Sequence, residues 1–171
     1  MEPERNQKIV VLTGASRGIG HATVKKFASE NWRVITCSRN PFDDRCPWPG
    51  GEENHVQVDL SNPNNTLEAI DEVKKRLDGK LHALVNNAGI SPKGDNGERL
   101  DTLGTDLSIW GMVFHVNFFA SVILASLARS GIWLLSPRIS PRHGRSFSRL
   151  SYGSWIDWVC VAFACWICLC V

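Results

Sequence analysis

Short unbroken apolar runs alternate with amphipathic stretches along the first two thirds of the chain. Residues 8–12, 34–37 and 81–85 are largely apolar, with 55–60 a fourth, alternating segment (Val56, Val58, Leu60), and all four are read as strands covered by helices on the faces of a parallel sheet. Helical spacing fills the gaps between them. After the first run, Ile19, Thr23, Phe27 and Ala28 recur near 3.6-residue intervals, with Lys25, Lys26 and Glu30 on other faces. After the third, Ser61-Asn62-Pro63 predicts a cap followed by proline in the first turn. Leu67, Ile70, Val73 and Leu77 then form a stripe with Glu68, Asp71, Glu72, Lys75 and Arg76 outside it, and Gly79 stops the helix. From Asp106 a long helix is expected, carrying Trp110, Val113, Phe114, Asn117, Phe118, Ser121 and Leu124 at near-helical intervals. Strand and helix in this order predict an α/β fold with a doubly wound parallel sheet and right-handed crossovers. Residues 40–54 are polar and rich in proline and glycine, so an irregular connection is expected there. Residues 91–105 follow the fourth run at the edge where open α/β sheets carry their clefts, and read either as a substrate-side loop or as a solvated linker.

The chemistry lies at the first strand-to-helix junction, Thr13-Gly14-Ala15-Ser16-Arg17-Gly18-Ile19-Gly20. A pyrophosphate needs backbone N–H groups and the positive end of a helix dipole, so the main chain must be able to approach it closely. Glycine alone permits that. Gly14 is expected to make the turn out of the strand, Gly18 to remove a side chain that would collide with phosphates, and Gly20 to let the helix pack tightly on the sheet. The spacing is Gly-x-x-x-Gly-x-Gly, and strand before with helix after is the context such a loop requires.

These residues resemble the short-chain dehydrogenases/reductases, whose loop reads Thr-Gly-x-x-x-Gly-x-Gly. Other segments agree in order and spacing. Asn86-Asn87-Ala88-Gly89 after the fourth strand resembles the family's Asn-Asn-Ala-Gly motif. Asp59, at the end of the third strand, stands where the family meets the adenine ring, and Asn117 resembles its active-site asparagine. The resemblance covers about residues 7–128 and implies a Rossmann-like fold, incomplete on its C-terminal side. It also implies hydride transfer between a nicotinamide and a small alcohol or carbonyl substrate. The implied cofactor-binding residues are Gly14, Ser16, Arg17, Gly18, Ile19, Gly20, Ser38, Arg39, Asp59, Leu60, Asn87, Ala88 and Gly89, with Asn117 in the catalytic set.

The end of the second strand selects the cofactor. An acid there accepts from both ribose hydroxyls and favours NAD, whereas a cation neutralises the 2′-phosphate of NADP. Ser38-Arg39 has no acid and supplies a guanidinium, and Arg17 adds a second cation in the glycine loop. NADP is therefore expected over NAD.

Beyond residue 128 the resemblance stops. The family uses a tyrosine as general acid and a lysine four residues later that lowers the phenol's pKa from its ordinary value near 10. At the family spacing from Asn117, Arg145, Trp158 and Ala162 stand where serine, tyrosine and lysine belong. The single tyrosine, Tyr152, is followed four residues on by Ile156, and no lysine occurs after Lys93. Ser136, after the strand-like Ile132-Trp133-Leu134-Leu135, reads as a strand-end residue.

Composition shifts at the same place. Every lysine and glutamate lies before residue 129, and Asp157 is the one acid after it. The joint loss suggests that the tail, residues 129–171, is translated in a different reading frame, or from non-coding sequence, relative to the family gene. Residues 136–145 have no periodicity and read as disordered. Residues 155–171 are apolar but short for a bilayer span of about 20 residues and unflanked by basic anchors, so membrane association is not expected. Cys160, Cys165, Cys168 and Cys170 lack a second spaced ligand pair, so no metal site is expected.

Net charge of +2 with 21% charged residues carries no nucleic-acid footprint. The polar N-terminus leaves no room for a secretory signal, which predicts a cytoplasmic protein with reduced thiols. The family pairs through two long helices, of which only the one over residues 110–128 is recognisable, so a compromised dimer interface is expected. Three functional classes follow: an NADP-dependent oxidoreductase, a cofactor-binding module without turnover, or a truncated product without function.

Overall fold

The computed structural model describes residues 7–43, 50–77, 79–101 and 103–127. Strands β1 (Ile9–Thr13), β2 (Arg33–Ser38), β3 (His55–Gln57) and β4 (Ala83–Val85) form one sheet in the order β3-β2-β1-β4. Every pairing is parallel, with Val11 opposite both Ile35 and Leu84, and Cys37 opposite Val56. The chain thus builds outward from β1 to β3 and then crosses back to place β4 on the other side of β1. Such a reversal opens a crevice at the carboxyl ends of the central strands. Around the sheet lie α1 (Gly18–Ser29), α2 (Pro63–Arg76), and a helical run made of α3 (Leu107–Phe114), a π-helical turn (His115–Phe119) and α4 (Ala120–Leu124). The result is a doubly wound, Rossmann-like parallel α/β fold.

All five residues of β1 are buried, and they alternate between two cores. Val10 and Leu12 join Ala15, Val24, Val34 and Ala83, with Phe27 and Trp32 packed on them. Ile9 and Val11 join Ile35, Val56 and Leu84, together with α2 residues Ala69, Ile70 and Val73 and helix residues Ala120 and Leu124. Apolar side chains are therefore needed at β1 positions 9–12, which explains the unbroken run in the sequence, while buried Thr13 ends the strand.

Several sequence expectations change in detail: Ile19, placed on the α1 stripe, is exposed while Gly20 and Val24 are buried, and Phe114 and Phe118 of the long-helix stripe are exposed while Val116 and Ala120 are buried. Strand pairing in β3 ends at Gln57, after which one further bond, Val58 N to Ser38 O at 2.8 Å, precedes the departure of residues 59–60 from the sheet. Helix α2 is capped as expected, Asn62 Oδ1 accepting from Asn64 N at 2.9 Å and Pro63 opening the first turn. Its buried face is Thr66, Ala69, Ile70, Val73 and Leu77, whereas Leu67 is 54% exposed. Ile70, Val73 and Leu77 are buried as expected; only Leu67 leaves the stripe, and small Thr66 and Ala69 join it against the core. The irregular connection over 40–54 contains a 3-10 turn, Glu52–Asn54, among its described residues.

The helical run begins at Asp106, whose carboxylate accepts from Ser108 N at 2.7 Å. Leu107–Leu124 is long and apolar enough to cross a bilayer by length and composition. In this fold it turns Val116, Ala120, Ser121 and Leu124 into the core. The boundary expected at 128/129 and every expectation placed on the tail, including Ser136, Tyr152 and the four cysteines from Cys160 to Cys170, lie outside the described residues.

Candidate functional site

The glycine loop leaves β1 at the sheet's switch point, and backbone contacts on both sides hold it. Gly14 N donates to Cys37 O at 2.9 Å, which ties the loop to the end of β2. Gly14 has φ +69°, and a Cβ there would lie 2.8 Å from Ala88 Cα, so both conformation and space require glycine. A Cβ on Gly20 would collide with the Gly14 carbonyl oxygen. Gly20 therefore lets α1 close onto its own loop, rather than onto the sheet as the sequence suggested. Gly18 has φ +56° and no protein atom near the position of a Cβ, so within the protein only its backbone conformation calls for glycine.

Thr13, at the end of β1, organises the opposite wall. Its hydroxyl accepts from Asn87 N and Ala88 N, both at 3.1 Å. Asn87 Nδ2 returns two bonds, to Thr13 O at 3.2 Å and Gly14 O at 3.1 Å. Asn87 is thereby a brace for the glycine loop. Sequence reasoning did not single out Thr13, although its position immediately before Gly14 was the available signal.

Helix α1 starts without a side-chain cap on Arg17 and without an acid in its first turn, whereas Asn62 and Asp106 cap α2 and α3. Ser16, Arg17, Gly18 and Ile19 are exposed around this helix end. Free N–H groups, a helix dipole and a neighbouring cation make a fitting cradle for a dinucleotide pyrophosphate.

A second wall of the crevice is built from the ends of β2 and β3. Ser38 is buried and its hydroxyl donates to Asn40 O at 3.1 Å. Arg39 is exposed, and its carbonyl accepts from Gln57 Nε2 at 2.9 Å. Asp59 Oδ1 accepts from Ser61 N at 2.9 Å. Hydrogen bonds from Ser61 hold the Asp59 carboxyl below the usual carboxylate range, against a smaller opposing effect of burial and with help from the Arg39 charge. Leu60 is buried beside it. Cys37, under this wall, is fully buried; desolvation pushes its thiol up to about 12, which makes it inert as a nucleophile.

Asn117 sits in the π-helical turn. Its Oδ1 accepts from Ile90 N at 2.8 Å and its Nδ2 donates to Ile90 O at 2.9 Å. A Cβ on the adjacent Gly89 would make an ordinary 3.6 Å contact with Asn117 Oδ1. The asparagine amide is thus engaged with the backbone that follows β4. The structure brings every cofactor-binding candidate and Asn117 to the carboxyl ends of the strands.

A parallel α/β sheet with a glycine-lined strand-to-helix turn at its switch point defines the class of the Rossmann-like folds. The sequence matches the short chain dehydrogenase family over residues 8–131, and the chain belongs to that family. It is 55% identical over 120 residues to protein FixR of Bradyrhizobium diazoefficiens, covering 69% of this chain and 43% of that protein. A tropinone reductase homolog of Datura stramonium is 35% identical over 124 residues, covering 69% of this chain and 44% of that one. Among solved structures, a short-chain dehydrogenase/reductase from Brucella ovis, in complex with a partially ordered NAD, is 55% identical with a TM-score of 0.69. The match covers 72% of this chain and 57% of the Brucella chain. The chain therefore spans less than half the length of these two curated relatives.

Proposed function

We propose that this chain is the cofactor-binding part of a short-chain dehydrogenase that takes NADP in preference to NAD. The observation that carries the reading is the uncapped start of α1 beside Gly14 and Gly18, two glycines held at positive φ. The pyrophosphate belongs at that helix end, with the adenosine between Arg39 and the Asp59-Leu60 pair, and with Ala88 and Gly89 beneath it. For NADP speaks the absence of an acid at Ser38-Arg39, where the Arg39 guanidinium suits phosphate oxygens, together with Arg17 in the loop. For NAD as a second reading speaks the 55% identical Brucella ovis protein, which was solved with NAD.

A nicotinamide supplies or accepts hydride, and the family reaction joins that to an alcohol or carbonyl carbon of a small substrate. What these residues contribute is binding and orientation. Asn117 positions the segment after β4 through Ile90. Proton transfer at the substrate oxygen has no equipped donor within these 171 residues, because Tyr152 has no lysine four residues on. The reading is a dinucleotide binder with impaired turnover.

Titration of tryptophan fluorescence with NADPH and NADH tests it. Quenching by NADPH at lower concentration than by NADH is expected, without carbonyl-dependent oxidation of either. No response to either nucleotide refutes the binding reading, and oxidation that depends on an added ketone or aldehyde refutes the impairment.

A further inference from the structure

After Ser38 the chain folds back over β3 instead of running on past it. Gln57, paired with Ser38 in the sheet, donates through Nε2 to Arg39 O at 2.9 Å. His55, two residues earlier and paired with Thr36, reaches Asn40 O through Nε2 at 2.9 Å. Ser38 Oγ donates to the same Asn40 oxygen at 3.1 Å. A carbonyl only accepts, so His55 Nε2 carries a proton, and Nδ1 lies 2.9 Å from Thr36 Oγ1. The imidazole is thereby oriented by β2 while it holds the loop, and Phe42 lies against it with ring centroids 6.1 Å apart. Residues i and i+2 of a strand point to the same face, so β3 presents two donors side by side to two successive carbonyls.

Those two carbonyls belong to the peptide units that follow the Arg39 Cα. With both held, the arginine's backbone has one direction, and its guanidinium samples the space near Asp59, whose carboxylate feels its charge. An exposed arginine on a free loop loses far more freedom when it meets a phosphate than one on a held loop.

We propose that His55 and Gln57 are positioning residues for cofactor selection, holding Arg39 where it meets the phosphate on the adenosine ribose. The inference rests on the NADP reading given above. Neither residue touches the nucleotide; both act through Arg39.

The test compares the full chain with Gln57→Met, His55→Phe, the double variant and Arg39→Ala. Gln57→Met keeps length at an exposed position, and His55→Phe keeps a ring beside Phe42. Affinities are measured for NADPH and NADH, and for the fragments 2′,5′-ADP and 5′-AMP, with thermal unfolding in parallel. Arg39→Ala is expected to weaken NADPH and 2′,5′-ADP by about tenfold or more, while NADH and 5′-AMP stay unchanged. The double variant is expected to reproduce part of that selective loss, about three- to tenfold. Equal weakening of all four ligands, or none, in the double variant while Arg39→Ala retains its selective effect overturns this inference alone. Failure of the parent chain to bind any of the four, or no selective effect of Arg39→Ala, overturns the NADP reading and this inference with it.

Discussion

The side-chain amide of Asn117 makes both of its hydrogen bonds to a single residue, Ile90, at 2.8 Å to the N–H and 2.9 Å to the carbonyl. An amide that accepts from the N–H and donates to the C=O of one residue pairs with the backbone as a strand residue does, and it clamps the segment after β4 to the middle of the long helix. The π-helical turn His115–Phe119 surrounds the asparagine. Such turns occur where a helix must aim a particular side chain outside its regular register.

Removing the clamp should loosen the wall that follows Gly89. Asn117→Ala is expected to lower stability by about 1–2 kcal/mol, because two backbone groups lose their partners at an exposed site where water replaces them in part. Asn117→Asp keeps the acceptor and loses the donor, so its urea midpoint should fall between those of Asn117→Ala and the parent. A midpoint for Asn117→Ala equal to the parent's contradicts the clamp.

The three loop glycines should separate into two classes. Gly20→Ala places a methyl against the Gly14 carbonyl and is expected to abolish cooperative unfolding or lower its midpoint severely. Gly18→Ala meets no protein atom and bears only the cost of positive φ, about 1 kcal/mol. It should fold, and it should quench more weakly with NADPH if the phosphates pass close to that position. Circular dichroism melts and the fluorescence titration read both effects.

Thr13 is expected to matter more than its size suggests. Thr13→Val keeps volume and removes the acceptor for the half-buried Asn87 and Ala88 N–H groups, at a cost of about 1–2 kcal/mol. Thr13→Ser retains the oxygen and should lie close to the parent. Equal midpoints for Thr13→Val and Thr13→Ser would show that the hydroxyl contributes nothing.

Acid should act through Asp59. Its carboxyl titrates below the ordinary value of 3.8 in the folded chain, chiefly because Ser61 donates to it. A depressed acid stabilises the fold above its unfolded pKa, and that contribution is lost as pH falls through the folded value. Asp59→Asn should therefore lose less stability than the parent between about pH 5 and the acid limit. Parallel pH profiles of the two proteins refute the assignment.

Where a requirement was local, it could be read directly. The Asn62-Pro63 cap, the runs of β1 and β2 and the Gly14 turn out of the strand stand as expected, since caps, strand burial and positive φ impose their demands on neighbouring residues. Of the α2 stripe, Ile70, Val73 and Leu77 were read correctly and only Leu67 was misplaced, because it is a better hydrophobe than Thr66 and hydrophobicity alone cannot reveal that the close-packed position takes the smaller side chain. The brace from Asn87 to the glycine loop was invisible for another reason: its partners lie more than seventy residues away in the chain.

By itself the sequence determined the alternation of strand and helix, the glycine cradle and the family, because apolar runs covered on two faces and glycines forced into positive φ leave few alternatives. Tertiary structure alone decided that β4 returns to the far side of β1, that Thr13 joins Asn87 and Ala88, that Ile90 occupies the Asn117 amide, and that β3 holds the carbonyls after Arg39. Those outcomes depend on which backbone groups remain unpaired once the sheet has closed, and distant residues supply the partners.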